Sequence, residues 1–195
     1  MGAYEMLAGC YDRLTSDVDY RAVAGFYRTL LDREGVHPRS AVDLACGTGS
    51  ISAILAEQGL AVTGVDMSEE MLTQAAAKTA ELPNPPVFVR QKLQRLSLPR
   101  GVDLAVCALD SLDYITAPRD CAEAIRRVYR ALNPGGMFIF DVNTPEKLRQ
   151  ALSAACMQLP EYLFLYVQPC RRQRGSRPEQ AFGSSLSAGY CLFHR

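Results

Sequence analysis

Apolar residues along this chain recur with two periods. From residue 20 to 34, Val23, Phe26, Tyr27, Leu30 and Leu31 fall at i, i+3, i+4, i+7 and i+8, which predicts an amphipathic helix. The stretch "AYEMLAGCYDRL" before it predicts a shorter one. Beyond residue 40, short unbroken apolar runs alternate with helical stripes. "SAVDLAC" reads as a buried strand, "SISAILAEQG" as a helix that Gly59 ends through a left-handed cap, and "LAVTGVD" as a second strand. Ser68 caps the next helix, and Glu69 and Glu70 stand at the positive end of its dipole. Pro83, Pro85 and Pro86 stop the chain before a third strand, "VFVRQ", and "VDLAVCAL" is a fourth. Residues 118–132 carry the stripe Ala122, Ile125, Val128, Tyr129 and Leu132; "NPGG" breaks that helix, and "MFIFDV" is a fifth strand. Thr144 and Pro145 suit the N-cap and first residue of a further helix, "PEKLRQALSAAC".

Strands and helices thus alternate across residues 40–156. The strands are near-continuous apolar runs, as expected where both faces of a sheet are covered. This predicts an open, doubly wound α/β fold with a mostly parallel sheet. Ligands in such folds bind outside the carboxyl ends of the strands, where the strand order reverses. The segment "CGTG", residues 46–49, lies at the carboxyl end of the first strand.

Composition narrows the picture modestly. The 195 residues suffice for one domain with a substantial core, and 48% hydrophobic with 22% charged residues is an ordinary globular balance. Lys+Arg and Asp+Glu stand at 21 each, so no overall basic field points to nucleic acid. Residues 151–195 hold five arginines against two glutamates, net +3, which leaves −3 on the first 150. That tail, 157–195, is expected to be solvated and partly disordered. Seven cysteines with no C-x-x-C pair argue against a disulfide framework or a structural zinc, and no metal site is expected. Without a long apolar leader or a membrane-spanning run, the expected location is a reducing cytoplasm.

Three readings compete for "VDLACGTGS", residues 42–50. A phosphate loop needs G-x-x-x-x-G-K-[ST], and no lysine follows Gly49. A dinucleotide site needs G-x-G-x-x-G, and Ser52 stands where the third glycine belongs. An acid after the second strand, Asp66, suits either a dinucleotide or another cofactor with a ribose.

The pair "VDLACGTGS" and "VTGVDMS" resembles the first two motifs of class I S-adenosylmethionine-dependent methyltransferases, whose sheet is Rossmann-like. Asp43, Ala45, Gly47 and Gly49 match the first motif, and Asp66 matches the second. The resemblance implies S-adenosyl-L-methionine as cofactor, with Asp43 near its α-amino group and the loop, Thr48 included, close to the methionine part and ribose. It further implies Asp66 on the ribose hydroxyls, and Met67 and Met71 against the adenine unless they are ordinary core. "YDRLTSDVDY" is similar to the N-terminal lid of a small-molecule methyltransferase subgroup, which would set Tyr11 and Tyr20 near the cofactor within a helical lid, 1–35. "CALDSLDYI" resembles that subgroup's fourth-strand motif and would set Asp110 and Tyr114 beside the methyl-transfer site.

Two departures stand out. The third strand ends in Gln91-Lys92-Leu93, where the family carries an acid for the adenine amino group, so that contact would fall to backbone atoms around Leu93. After Cys156 the family's last strands are not apparent, and only "YLFLYV" and "GYCLFH" read as strands. The expected methyltransferase domain therefore covers residues 1–156, its fifth strand an open edge through which a homodimer could form. The resulting expectation is methyl transfer to nitrogen or oxygen of a small molecule, with no nucleic-acid or membrane partner. Two alternatives stay open: a truncated, inactive cofactor-binding domain, and a NAD-dependent oxidoreductase.

Overall fold

The structure, a computed structural model, describes residues 11–143 and the strand 164–167. Expectations for the first ten residues, for the helix from Pro145, for the "GYCLFH" strand and for order in the tail lie outside the described residues. Two helices lead in, α1 (Tyr11–Leu14) and α2 (Tyr20–Arg33). The start of α2 is fixed by Asp19, whose carboxylate accepts the Ala22 N–H at 2.9 Å. β1 (Ser40–Leu44), α3 (Ser50–Glu57), β2 (Ala61–Asp66), α4 (Glu69–Thr79) and β3 (Val87–Arg90) follow. Then come β4 (Val102–Cys107), α5 (Pro118–Ala131), β5 (Leu132–Asp141) and β6 (Phe164–Val167).

The sheet runs β3-β2-β1-β4-β5-β6, with the first five strands parallel and β6 antiparallel to β5. Strand order reverses between β1 and β4, so the carboxyl end of β1 faces the crevice predicted for a ligand.

Pleat alternation sorts the core onto two faces. Ala41, Leu104, Val106, Met137 and Ile139 meet Tyr27, Leu30 and Leu31 of α2 and Ile51 and Leu55 of α3. Their chain neighbours Val42, Leu44, Ala105, Cys107, Phe138 and Phe140 point the other way, towards Ala124 and Val128 of α5. Each large aliphatic side chain so buried stabilises the fold by about 1.5–3 kcal/mol. This two-sided burial is why the strands read as unbroken apolar runs.

Two expectations need amending. The fifth strand begins at Leu132 and not after "NPGG": Gly135 adopts φ +82° and the ladder shifts register between Val102 and Leu104. A side chain at Gly136 would come within 3.0 Å of the Asp103 carbonyl oxygen, so the glycines let the strand bulge instead of ending it. The fifth strand is also no open edge. Phe138–Asp141 pairs with Phe164–Val167, which removes the premise on which a dimer through that edge rested. Among the described residues no helix is long and apolar enough to cross a membrane.

Candidate functional site

Two strained turns face each other across the strand-order reversal. After β1, Ala45, Gly47 and Gly49 take left-handed backbone angles, φ +53°, +53° and +75°. After β4, Leu109 and Asp110 do the same at +57° and +55°. Non-glycine residues held there cost of order 1–3 kcal/mol each and cluster at functional sites. The two loops bound a cleft between them. Tyr11, Tyr20, Asp43, Ala45, Gly47 and Thr48 line it, together with Ala108, Leu109 and Ser111 from the opposite side.

The two glycines of the loop do different work. A Cβ on Gly47 would meet nothing nearer than the Tyr11 ring at 4.0 Å, so this position opens onto the cleft. A Cβ on Gly49 would lie 2.9 Å from the Ala75 Cβ and 3.2 Å from the Phe88 ring, so this position admits the close approach of α4.

Asp66, ending β2, is fixed at both oxygens. It accepts the Gly47 N–H on Oδ2 at 3.0 Å and the Ser68 N–H on Oδ1 at 2.9 Å. Each oxygen keeps a further lone pair, which suits a vicinal diol. The Asp43 side chain lies deeper and is only 2% exposed; Ser52 donates to its Oδ2 at 2.6 Å. Burial raises the Asp43 carboxyl to about 7 from an ordinary 3.8, Ser52 hydrogen bonds pull it back, and the Asp66 charge adds to the rise. Between these pH values the folded chain holds a proton that the unfolded chain has lost. Stability from this group is therefore present in full below pH 3.8 and lost as pH rises through 7. Asp141 is shifted in the same direction. The ligand-free protein is expected to melt at a higher temperature at pH 5 than at pH 7.5, and Asp43→Asn to flatten the dependence. Calorimetric scans at both pH values check this, and a wild-type midpoint that rises over that interval would contradict it.

Sequence reasoning missed three elements of the site. Asp141 ends β5 with 1% exposure and accepts the Asp110 N–H on Oδ2 at 2.8 Å. Burial, and after it the facing Asp110 carboxyl, push the Asp141 carboxyl upward. A signal for it existed: an acid closes an apolar strand at Asp43, at Asp66 and again at Asp141. Ser52, the departure from the dinucleotide pattern, is the partner of Asp43. The third element, an Asp12–Lys78 pair at the glycine loop, joins residues 66 apart and had no signal.

The remaining predicted residues are dispersed. Met67 is 62% exposed at the Asp66 turn, whereas Met71 is 2% exposed and packs in the core. Leu93 is buried and opens a one-turn 3-10 helix, Leu93–Arg95, where a backbone N–H has no partner within the helix. Tyr114 is 71% exposed, and Tyr11, Tyr114 and Asp66 lie close enough that each of the latter two raises the Tyr11 hydroxyl's pKa, after burial and Tyr20.

A family model described as a methyltransferase domain matches residues 41–136, the span of both strained turns. A protein of Geobacillus sp. (strain WCH70), named as a methyltransferase, is 30% identical over 86% of this chain and 68% of its own length. The chain belongs to the class I S-adenosylmethionine-dependent methyltransferase family. An S-adenosylmethionine-dependent methyltransferase from Clostridium acetobutylicum superposes with a TM-score of 0.68 at 34% identity, covering 77% of this chain and 62% of that one. The sugar N-methyltransferase KedS8 from Streptoalloteichus sp. gives 0.63 at 27%, covering 70% and 55%. The methyltransferase chain thus spans 55% to 68% of the length of these proteins. Its cleft fits their cofactor class: an open glycine position, a doubly anchored carboxylate for a ribose, and a buried acid without a phosphate-binding lysine.

Proposed function

We propose that this chain serves S-adenosylmethionine-dependent methyl transfer to an amino nitrogen of a small molecule. The observation that carries the choice of nitrogen is the facing pair Asp110 and Asp141 at the carboxyl ends of β4 and β5. Two acidic side chains set side by side can pair with an ammonium group, and a carboxylate can accept its proton. The sugar N-methyltransferase KedS8 supports the same reading, because its own acceptor atom is nitrogen.

The bound cofactor supplies an electrophilic sulfonium methyl. Asp66 receives the ribose hydroxyls, Asp43 the α-amino group, and the Ala45–Gly49 backbone, with Thr48 on its buried side, lies against the methionine part. Tyr11 and Tyr20 roof the cleft. Met67 and the Leu93 N–H serve the adenine, and Met71, sealed in the core, does not. Asp110 takes the proton from the acceptor's ammonium group and frees the lone pair, while Tyr114 borders the acceptor. The remaining contribution is alignment, since a displacement at carbon gains most from fixed orientation.

The test is release of S-adenosylhomocysteine from S-adenosylmethionine, with amino sugars and simple amines set against the matching alcohols and phenols. Turnover confined to the amines is expected. Turnover confined to hydroxyls overturns the nitrogen assignment; cofactor binding without turnover on any acceptor favours an inactive domain; binding of NAD in place of S-adenosylhomocysteine overturns the family chemistry for this cleft.

A further inference from the structure

The short helix α1 carries Tyr11 over the cleft, yet none of its four residues is buried. A helix of one turn has no stability of its own, so a tertiary contact must hold it. Among the described residues that contact is polar. The Asp12 carboxylate accepts from the Thr48 hydroxyl at 2.5 Å and pairs with Lys78 Nζ at 2.6 Å. Lys78 Nζ also donates to Thr48 Oγ1 and Ser50 Oγ, each at 3.1 Å. Three separate segments meet here: α1, the glycine loop at the start of α3, and the last turn of α4. Thr48 is 3% exposed, and the Lys78 and Asp12 side chains are 31% and 50% exposed. Burial acts to raise the Asp12 carboxyl, but the bonds from Lys78 and Thr48 and the lysine charge outweigh it and hold the group below its usual value. A chain of bonds continues from α1 along the roof: Thr15 donates to the Tyr11 carbonyl at 3.1 Å and receives the Tyr20 hydroxyl at 3.0 Å.

We propose that Asp12 and Lys78 are positioning residues for the cofactor: their ion pair latches α1 onto the glycine loop, holds Tyr11 across the cleft, and so sets how long a bound cofactor stays. This rests on the cofactor reading of the cleft. Neither Asp12 nor Lys78 lines the cleft, whereas Tyr11 does, so the pair acts through α1 and its effect appears in the dissociation rate.

Stopped-flow release of S-adenosylhomocysteine measures that rate on the full chain. Lys78→Met and Asp12→Asn should each release the ligand about tenfold faster, the scale of one charge-assisted contact. The double variant should be no faster than either single one, because both remove the same link. Wild-type release should quicken with salt and that of the variants should not, since a partly exposed pair is screened. If either variant lost its fold, the exchanged pair Asp12→Lys with Lys78→Asp would decide, with slow release restored. Wild-type release rates in folded variants, or effects that add independently, would overturn the latch. A wild-type chain that bound no S-adenosylhomocysteine at all would instead overturn the cofactor reading beneath it.

Discussion

Replacing Asp66 with alanine is expected to lower affinity for S-adenosylhomocysteine at least a hundredfold. The carboxylate is held at both oxygens by the Gly47 and Ser68 N–H groups, so it stands ready before any ligand arrives. A ribose diol would add two charge-assisted bonds, each worth about 1.5 kcal/mol or more. Their joint loss, about 3 kcal/mol, corresponds to roughly a hundredfold in the dissociation constant. The alanine also frees the Gly47 N–H and with it the left-handed turn that opens the cleft. Asp66→Asn keeps one acceptor and should fall between. Calorimetric titration of the three proteins, with thermal midpoints as a check on folding, measures the effect. Alanine binding at wild-type strength would place the ribose elsewhere.

The second large effect concerns stability and not binding. Gly49→Val should lower the thermal midpoint by about 10 °C. Left-handed backbone at φ +75° costs a branched residue about 1–2 kcal/mol. A Cβ 2.9 Å from the Ala75 Cβ and 3.4 Å from its Cα meets backbone-anchored atoms that cannot step aside, and overpacking of this kind costs about 1–3 kcal/mol. The sum, about 3 kcal/mol, translates at about 2–4 °C per kcal/mol for a chain of this size. Gly47→Ala is the contrast: it meets open space and bears only the backbone cost, while its methyl group intrudes on the cleft. It should bind S-adenosylhomocysteine poorly with a midpoint a few degrees below wild type. Equal midpoints for the two variants would mean that the loop packs differently against α4.

Much of this molecule was legible because its strands are buried on both faces and its helices on one. Apolar runs of four to six residues separated by stripes at helical spacing had one consistent arrangement, and the capped start at Ser68 marked a boundary. The acids closing β1 and β2 were legible for the same reason, since a charge at the end of an apolar strand needs an explanation. What escaped were contacts without a local pattern. Asp141 pairs with Asp110 only because β4 and β5 lie side by side, and Lys78 meets Asp12 only because α4 folds back over the glycine loop. "NPGG" was misleading because glycine and proline mark a bulge as readily as an end. Met71 had two readings, adenine contact or ordinary core, and its side chain lies on the buried face of α4.

The strand order has one more consequence. β2 adds beside β1, and β3 beside β2; β4 then joins the other side of β1, and β5 and β6 extend that side in turn. Every strand therefore joins a free margin in the order in which it leaves the ribosome, and none has to be threaded between two already paired. A nascent chain can complete this sheet by accretion, with no ladder reopened. Until Val167 has emerged, however, the β5 margin stays available to other chains, so slow translation over that last stretch would expose it longest.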